Sequence, residues 1–198
     1  MLFRTRSAAP IEAVIAGLGN PGTKYAGTRH NAGFIALEAL AEDAGVKLTR
    51  VKFRSLTAEA EIGGRRTLLL QPQTFMNNSG EAVRDAMRFY KLVPEQVLVM
   101  FDDITLPPGQ LRIRRKGSDG GQKGMASILY HCGTDTFPRI RLGVGAKPHP
   151  EYDLAAWVLS RFTKEELPLI REAAANAVGA AKLIIAGDIE KAMSTYSR

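Results

Sequence analysis

The stretch that decides the fold spans Ala13–Phe34 and reads AVIAGLGNPGTKYAGTRHNAGF. It begins with an apolar run and continues into glycine and proline, a pattern that predicts a buried strand followed by a loop. The segment after Asn31 has helical spacing, so His30 is expected near the carboxyl end of that strand. Because open α/β sheets bind ligands at that end, we predict the active site in this loop. The other functional side chains of the loop are Asn20, Tyr25, Arg29 and Asn31.

The length and composition predict a single globular domain. The 198 residues, 45% of them hydrophobic, can bury one full core. No internal repeat, low-complexity segment or long linker divides the chain. We expect residues 1–12 to be a flexible N-terminal extension and residues 13–198 to be one domain.

The net charge favours a polyanionic partner. The chain carries 27 lysine and arginine residues against 20 aspartate and glutamate residues, which gives a formal charge of +7. Nucleic acid is the polyanion that most often explains such an excess. Many basic proteins have no such partner, so both alternatives stay open on charge alone.

The cysteine count and the apolar segments predict a cytoplasmic protein. A single cysteine, Cys132, excludes an internal disulfide and fits a reducing compartment. The first seven residues are basic but lack the apolar segment of a secretory signal. The longest apolar run near the C-terminus is interrupted by Lys182, Gly187 and Asp188, so we predict no membrane span.

The first half of the chain alternates between helical and strand patterns. Residues 31–44 have apolar side chains at helical spacing, which predicts a helix. Gly45 is suited to the C-terminal end of that helix. Residues 51–62 alternate between apolar and polar side chains and turn at Gly63-Gly64 into residues 67–71, which predicts a hairpin.

The central part of the chain predicts a helix and a second buried strand. A helix over residues 78–92 would start at a capping box formed by Asn78 and Glu81. The run Val97–Phe101 is apolar and ends in Asp102-Asp103. If this strand lies parallel to the first, these carboxylates share a sheet edge with His30.

The remaining elements follow from shorter patterns. Strands are predicted over residues 110–116 and 140–144, and a helix over residues 125–131. A mobile glycine-rich loop is predicted at residues 117–124. From Thr163 the chain is predicted to be helical to its end, with Thr163 and Glu166 as a capping box and a break near Gly187-Asp188.

Three alternative sites compete with the loop around His30. Gly17, Gly19 and Gly22 match the GxGxxG pattern of dinucleotide-binding folds, but the predicted helix starts too far along the chain to meet a pyrophosphate. Asp102-Asp103 has the residue types of a magnesium site, yet neighbouring side chains on a strand point to opposite faces. The three histidines lack the spacing of a zinc site. We therefore predict no metal and no cofactor.

Other reactive side chains have simpler structural interpretations. Cys132 lies on an apolar helix and is expected in the core, and His131 is expected at that helix's C-terminus. Ser79 lacks the context of a nucleophile elbow and is expected at a helix start. His149 lies between two prolines and is expected in solvent. A lone histidine is usually structural, but His30 lies in a polar loop at a strand end, and we predict that it is catalytic.

The motifs together resemble the bacterial-type peptidyl-tRNA hydrolase family. The match extends from Ile15 to the C-terminus, in the order in which the family has its motifs. The motifs that carry it are Gly17–Gly22 with Tyr25, Thr28–Gly33, Phe75–Asn77 with Ser79-Gly80, Asp102 with Leu106–Gly109, Gly120-Gly121 and Arg139–Gly143.

The resemblance implies a monomeric α/β protein of one domain, with a mixed twisted sheet flanked by helices. It implies hydrolysis of the ester that joins a peptide, or an N-blocked amino acid, to the 3′ end of tRNA. By position, His30 would be the general base and Asp102 would orient its imidazole. Asn20 and Asn77 would hold the peptide backbone and the reacting centre, and Asn20 would distinguish blocked from free aminoacyl groups.

The resemblance also implies contacts to the tRNA. Tyr25 and Phe75 would line the path of its 3′ end, and Arg114 and Arg141 would clamp its 5′ phosphate. One departure stands out, because Gln122-Lys123 replaces the usual His-Asn pair of the glycine-rich loop. The alternative from another class is a non-catalytic RNA-binding relative, of the splicing-factor type. The presence of Asn20, His30, Asn77 and Asp102 together favours the enzyme.

Overall fold

A seven-stranded mixed sheet forms the centre of the molecule. The computed structural model describes residues 9–197. The strands are β1 Ala13–Gly17, β2 Arg50–Lys52, β3 Ser55–Ile62, β4 Arg65–Pro72, β5 Val97–Asp103, β6 Leu111–Arg114 and β7 Arg139–Gly143. Their order in the sheet is β2-β3-β4-β1-β5-β7-β6. The four central strands, β4, β1, β5 and β7, are parallel, and β2, β3 and β6 are added antiparallel to their neighbours.

Helices cover both faces of the sheet. They are α1 Ala32–Asp43, α2 Ser79–Tyr90, α3 Lys123–Cys132, α4 Leu154–Val158, α5 Glu166–Ala186 and α6 Ile189–Tyr196. Helices α1, α5 and α6 pack on one face and α2 and α3 on the other, so two hydrophobic cores enclose the sheet. This is the predicted α/β architecture. Within residues 9–197, no helix has the length and apolar character that a membrane span requires.

Two glycines allow α1 to approach the sheet very closely. A Cβ atom on Gly33 would collide with the Met100 carbonyl oxygen, and one on Gly17 would collide with the Gly33 carbonyl oxygen. A Cβ on Gly19 would meet the ring of Phe34. Two of the three glycines that resemble a dinucleotide motif, Gly17 and Gly19, therefore serve helix–sheet packing. This packing holds the start of α1, and the residues before it, against the carboxyl ends of β1 and β5.

Several predicted elements are confirmed. The predicted first helix and the predicted hairpin agree with α1 and with β3–β4 within a few residues. Strand β1 pairs directly with β5 in parallel, with Gly17 opposite Met100. The second capping box also forms, because Thr163 N donates to Glu166 Oε2 at 2.8 Å and Glu166 N donates to Thr163 Oγ1 at 3.3 Å. Helix α5 ends at Gly187 as predicted.

The first predicted capping box is wrong. The Asn78 side chain makes no capping hydrogen bond at the start of α2. The Glu81 carboxylate instead forms an ion pair with Arg54. Arg54 lies in a tight turn in which it and Phe53 both have a left-handed backbone with φ of 52°. This turn separates β2 from β3, where the sequence had suggested one alternating segment.

The glycine-rich loop is shorter than predicted. Helix α3 begins at Lys123, not at Met125, because Gln122 caps its N-terminus by accepting a hydrogen bond from Met125 N at 2.7 Å. The start of the loop is also held, since the buried guanidinium of Arg139 donates to the carbonyls of Gly117 and Ser118 at 2.7 and 2.8 Å. The short helix α4 was not predicted.

The expected flexible extension, residues 1–12, lies mainly outside the described residues, which begin at residue 9. Ala9 and Pro10 are exposed, whereas Ile11 is 6% exposed. The backbone N–H of Glu12 donates to the Arg66 carbonyl at 2.8 Å. The packed domain therefore includes Ile11 and Glu12.

Candidate active site

The predicted pairing of His30 with Asp102 is confirmed. His30 lies in a 3₁₀ helix, Arg29–Asn31, that links the first loop to α1. Its Nδ1 is 2.9 Å from Oδ2 of Asp102, near the end of β5. Both residues are buried, at 8% and 4% exposure. Because β1 and β5 are parallel neighbours, their carboxyl ends bring the loop and the carboxylate to one edge.

This contact determines which imidazole nitrogen is available on the cavity side. A carboxylate that accepts a hydrogen from Nδ1 leaves the lone pair of the neutral ring on Nε2. His30 lines a cavity, and within residues 9–197 no group hydrogen-bonds to its Nε2. Nε2 is therefore the ring nitrogen that can accept a proton from the cavity side.

Gln122 holds the other oxygen of Asp102. Its Nε2 donates to Asp102 Oδ1 at 2.9 Å and lies 3.1 Å from the Met76 sulfur. Its Oε1 is occupied by the cap of α3, so the amide orientation is fixed. From the sequence, Gln122 was noted only as a departure from the family pattern. A signal that could have found it is its position three residues before the predicted helix start at Met125, close to where capping residues occur.

Asn20 presents an amide donor to the cavity. Its Oδ1 accepts a hydrogen bond from Met76 N at 2.9 Å, which leaves Nδ2 as the free end of the side chain. Its backbone is held by Asn31, whose Oδ1 accepts from Asn20 N and whose Nδ2 donates to Asn20 O, both at 2.9 Å. Asn31 is a second residue whose positioning role the sequence analysis missed.

Two aromatic rings lie together, and one of them, Phe75, lines the cavity. Phe75 has a left-handed backbone with φ of 60°, which is a strained conformation for a residue with a Cβ atom. Its ring is 53% exposed and meets Tyr25 edge to face, with centroids 6.2 Å apart. The same backbone turn directs Met76 N towards Asn20. The predicted pair of Tyr25 and Phe75 is thus brought together.

The cavity has a volume of about 470 Å³ and combines polar and apolar walls. Helix α4 supplies much of the apolar wall, and its N-terminus is capped by Asp153, which accepts from Ala156 N at 2.7 Å. The apolar lining residues are Phe75, Met76, Ile104, Leu154, Ala155, Val158 and Leu159. The polar ones are Asn20, His30, Asn77, Asp102, Gln122, Lys123 and Asp153. A larger depression, of about 640 Å³, runs along β3 and lacks these residues.

Arg29 anchors the loop that carries His30 to the rest of the domain. It is 2% exposed, and its guanidinium donates to both Glu166 oxygens at 2.9 and 2.8 Å. It also donates to the Val144 carbonyl at 2.9 Å and to Ser160 Oγ at 3.2 Å. The guanidinium carbon lies 3.9 Å from the centre of the Trp157 ring in α4. The residue next to His30 therefore connects the loop, the cavity wall and α5.

These contacts change the pKa of the Glu166 carboxyl. Burial alone raises its pKa, but the hydrogen bonds from Arg29 and from Thr163 N–H, together with the Arg29 charge, outweigh burial. The pKa of Glu166 therefore lies below its ordinary value of 4.5.

The predicted phosphate-binding arginines lie outside the cavity. Arg114 is exposed on β6, where it donates to the Ile113 carbonyl at 2.8 Å. Arg141 on β7 lies beside Asp103, with Nε 2.8 Å from Oδ2. Asp102 and Asp103 thus point to different partners, which confirms the predicted divergence of the two carboxylates. No group of three or more His, Cys, Asp or Glu side chains within residues 9–197 is arranged to hold a metal ion.

The other reactive side chains agree with their structural interpretations. Cys132 packs against the core under α2 and α3, and burial raises the pKa of its thiol to about 11. His131 lies in the last turn of α3 and Ser79 is the first residue of α2. His149 is exposed.

A comparison with known families agrees with this geometry. The family model described as peptidyl-tRNA hydrolase matches residues 14–198. The chain belongs to the peptidyl-tRNA hydrolase family. The resemblance inferred from the sequence motifs is thereby confirmed.

Individual members of the peptidyl-tRNA hydrolase family are similar over nearly their whole length. The chain is 48% identical over 185 residues to the peptidyl-tRNA hydrolase of Alkaliphilus metalliredigens, which covers 93% of this chain and 98% of that protein. It is 50% identical over 184 residues to that of Caldanaerobacter subterraneus subsp. tengcongensis, with the same coverage. The crystal structure of peptidyl-tRNA hydrolase from Acinetobacter baumannii superposes with a TM-score of 0.87 at 35% identity, and covers 96% of this chain and 99% of that one.

Proposed function

We propose that this chain hydrolyses the ester bond between a peptide, or an N-blocked amino acid, and the 3′ end of tRNA, and so recycles tRNA from stalled or abandoned translation. Family membership supports this substrate. The single observation that carries the proposal is the buried pair of His30 and Asp102 at the cavity, with Nε2 free to act as a base.

In the proposed reaction, His30 Nε2 takes a proton from water while the water oxygen attacks the ester carbonyl carbon. The tetrahedral intermediate then collapses, the bond to the ribose oxygen breaks, and the imidazolium returns the proton to that oxygen. Asp102 keeps Nδ1 protonated and stabilises the imidazolium. General-base catalysis of this kind contributes a factor of about 10²–10⁴ in rate.

Amide donors stabilise the charge that develops on the substrate. Asn20 Nδ2 is the free donor whose orientation Met76 N fixes, and Asn77 lines the same cavity. Such donors act on a carbonyl oxygen or on an oxyanion. A blocked amino group adds a peptide carbonyl that can accept from Asn20, whereas a free aminoacyl ester carries an ammonium group that cannot. Asn20 therefore distinguishes the two substrates in this proposal.

The tRNA is bound outside the catalytic cavity. The half-buried Tyr25 and the exposed Phe75 form an aromatic pair on which bases of the 3′ end can stack. Arg114 and Arg141 lie on the two strands at the far edge of the sheet and supply positive charge for the 5′ phosphate. The enzyme acts as a cytoplasmic monomer of one domain, and without a metal or cofactor, because base and donors are already present.

The decisive experiment compares N-acetyl-aminoacyl-tRNA with free aminoacyl-tRNA, following release of the amino acid from each. We expect rapid release from the blocked substrate and slow release from the free one, with His30→Ala as the matched control that removes the difference. A folded wild-type protein that binds tRNA but releases neither would identify the non-catalytic RNA-binding alternative. The intact pair of His30 and Asp102 favours the enzyme.

A further inference from the structure

Strand β5 ends in two carboxylates, of which the second is not used by the proposed catalysis. Asp102 contacts His30, whereas Asp103 lies under Arg141. The Asp103 side chain is 2% exposed and the Arg141 side chain is 20% exposed. A buried carboxylate in this position must have a charged or hydrogen-bonded partner.

The Asp103 carboxylate is fixed from one side and charge-paired on the other. Its Oδ1 accepts from Thr105 N and Thr105 Oγ1, both at 2.8 Å. Its Oδ2 lies 2.8 Å from Arg141 Nε, but neither of these two atoms has an aligned hydrogen bond to any of the described residues. Charge attraction, not a directed hydrogen bond, therefore keeps the guanidinium beside the carboxylate.

The strand pairing explains why a negative charge is needed there. Strands β6 and β7 are antiparallel, with Arg112 opposite Arg141 and Arg114 opposite Arg139. Directly paired residues project from the same face, so four arginines share one patch. Like charges opposite one another are destabilising. Arg139 is occupied by the backbone carbonyls of the glycine-rich loop, and Asp103 offsets the charge of Arg141.

The end of the Arg141 guanidinium is left open. A Cβ atom on Gly120 would lie 2.9 Å from Arg141 Nη2, so the guanidinium tip reaches the glycine-rich loop, and a glycine at 120 leaves space there. Within residues 9–197, neither Nη group donates a hydrogen bond. A guanidinium can bind an anion side-on through Nε or end-on through its two Nη groups. Asp103 lies against the Nε side of the guanidinium as an ion pair and leaves the Nη end open.

We propose that Asp103 is a positioning residue for tRNA binding, which holds Arg141 by Nε so that both Nη groups are presented to a phosphate of the tRNA. This inference rests on the proposed function. The neighbouring carboxylates of β5 thus have separate tasks, since Asp102 orients the base and Asp103 orients the cation that binds the substrate's phosphate.

The test is a double-mutant cycle with Asp103→Asn, Arg141→Gln and the two combined. Each protein is assayed on N-acetyl-aminoacyl-tRNA and on N-acetyl-aminoacyl-adenosine, which has the same ester but no phosphate. We expect each single variant to raise KM for the tRNA substrate roughly tenfold at unchanged kcat. The combined variant should be no worse than Arg141→Gln, and activity on the adenosine ester should not change.

Three other outcomes would contradict the proposal or the role of Arg141 on which it rests. If Asp103→Asn lowers kcat on both substrates, it acts through Asp102 and the proposal is wrong. If it raises KM equally in the Arg141→Gln background, it does not act through Arg141, and the proposal is wrong too. If Arg141→Gln alone leaves KM unchanged, the proposed function of Arg141 itself fails.

Folding is checked by circular dichroism, and a second variant covers the case in which Asp103→Asn does not fold. Thr105→Val removes one hydrogen bond from the carboxylate and leaves its charge in place. We expect a smaller rise in KM for the tRNA substrate alone, and an unchanged KM in a folded Thr105→Val protein would count against the proposal.

Discussion

Gln122 donates to Asp102 Oδ1 over 2.9 Å, on the opposite side of the carboxylate from His30. The Asp102 carboxylate is therefore held between an imidazole and a neutral amide. Within residues 9–197, His30 is the one ionisable side chain that forms a hydrogen bond or ion pair with it.

The first prediction concerns the base. His30→Ala should lower kcat by roughly 10²–10⁴ while tRNA binding stays nearly intact, because the imidazole moves the proton but does not bind the tRNA. Asp102→Asn is the matched control and should cost less, since it orients the base and does not carry the proton. Steady-state kinetics and a binding titration measure both. A larger loss in Asp102→Asn than in His30→Ala would reverse these roles.

The second prediction concerns Gln122→Glu. The new side chain keeps the oxygen that caps α3 but places a second carboxylate against Asp102. Two carboxylates in contact disfavour each other's ionised form, so the pair takes up a proton more readily than a single carboxylate does. The acid limb of the kcat–pH profile should therefore move to higher pH. Gln96→Glu, at the other end of β5, should leave the profile unchanged. An unchanged profile in Gln122→Glu would mean that this contact does not affect the base.

The third prediction concerns Lys123, which is exposed at the first position of α3 and lines the cavity. A phosphate contact releases counterions, so Lys123→Asn should make the slope of log K against log salt shallower by about 0.7 to 0.9, with kcat changed only a few-fold. Lys47→Asn, on the exposed loop after α1, is the control. An unchanged slope, or a large loss of kcat with normal binding, would show that Lys123 makes no phosphate contact.

The fourth prediction concerns metals. Activity should survive prolonged EDTA treatment of the enzyme, because the proposed base and donors are side chains. The tRNA substrate is folded beforehand with a brief Mg²⁺ treatment, so that the chelator tests the enzyme alone. Loss of activity with recovery on added Zn²⁺ or Mn²⁺ would overturn the metal-free reaction.

The fifth prediction concerns Glu166 and acid stability. In the folded protein, the pKa of Glu166 is below its ordinary value of 4.5. The ionised carboxylate therefore stabilises the fold above pH 4.5, and this stabilisation is lost as the pH falls through the lowered pKa. Glu166→Gln should be less stable at pH 7, because Arg29 loses its partner. Its stability should also depend less on pH below 4.5. Urea unfolding from pH 7 to pH 3 measures this, and parallel curves for the two proteins would contradict it.

The sequence predicted the centre of the site because the relevant signals are local. Two apolar runs that end in polar residues predicted β1 and β5, and their parallel pairing brought His30 to Asp102 as expected. The contact of Gln122 was not predictable in the same way. It depends on where α3 begins, and the glycines of residues 117–124 led to a predicted loop that covered this start.

Other features depend on tertiary contacts that override local patterns. Asn78 and Glu81 have the spacing of a capping box, but Glu81 forms an ion pair with Arg54 in the turn between β2 and β3. That turn has a left-handed backbone at Phe53 and Arg54, a conformation that glycine and asparagine adopt more readily, so these two residues do not signal a turn. The ion pair of Asp103 and Arg141 follows from the register of β5 and β7, which the sequence alone did not give.

The two neighbours of His30 along the chain are both anchored, Arg29 to Glu166 and Asn31 to Asn20. Holding a side chain in one rotamer and one backbone conformation has an entropic cost of the order of 1–2 kcal/mol per residue. Here that ordering is completed when the chain folds, long before a substrate arrives. In the proposed reaction, binding of peptidyl-tRNA therefore meets an imidazole whose flanking backbone is already ordered, so the main entropic cost left is that of ordering the substrate.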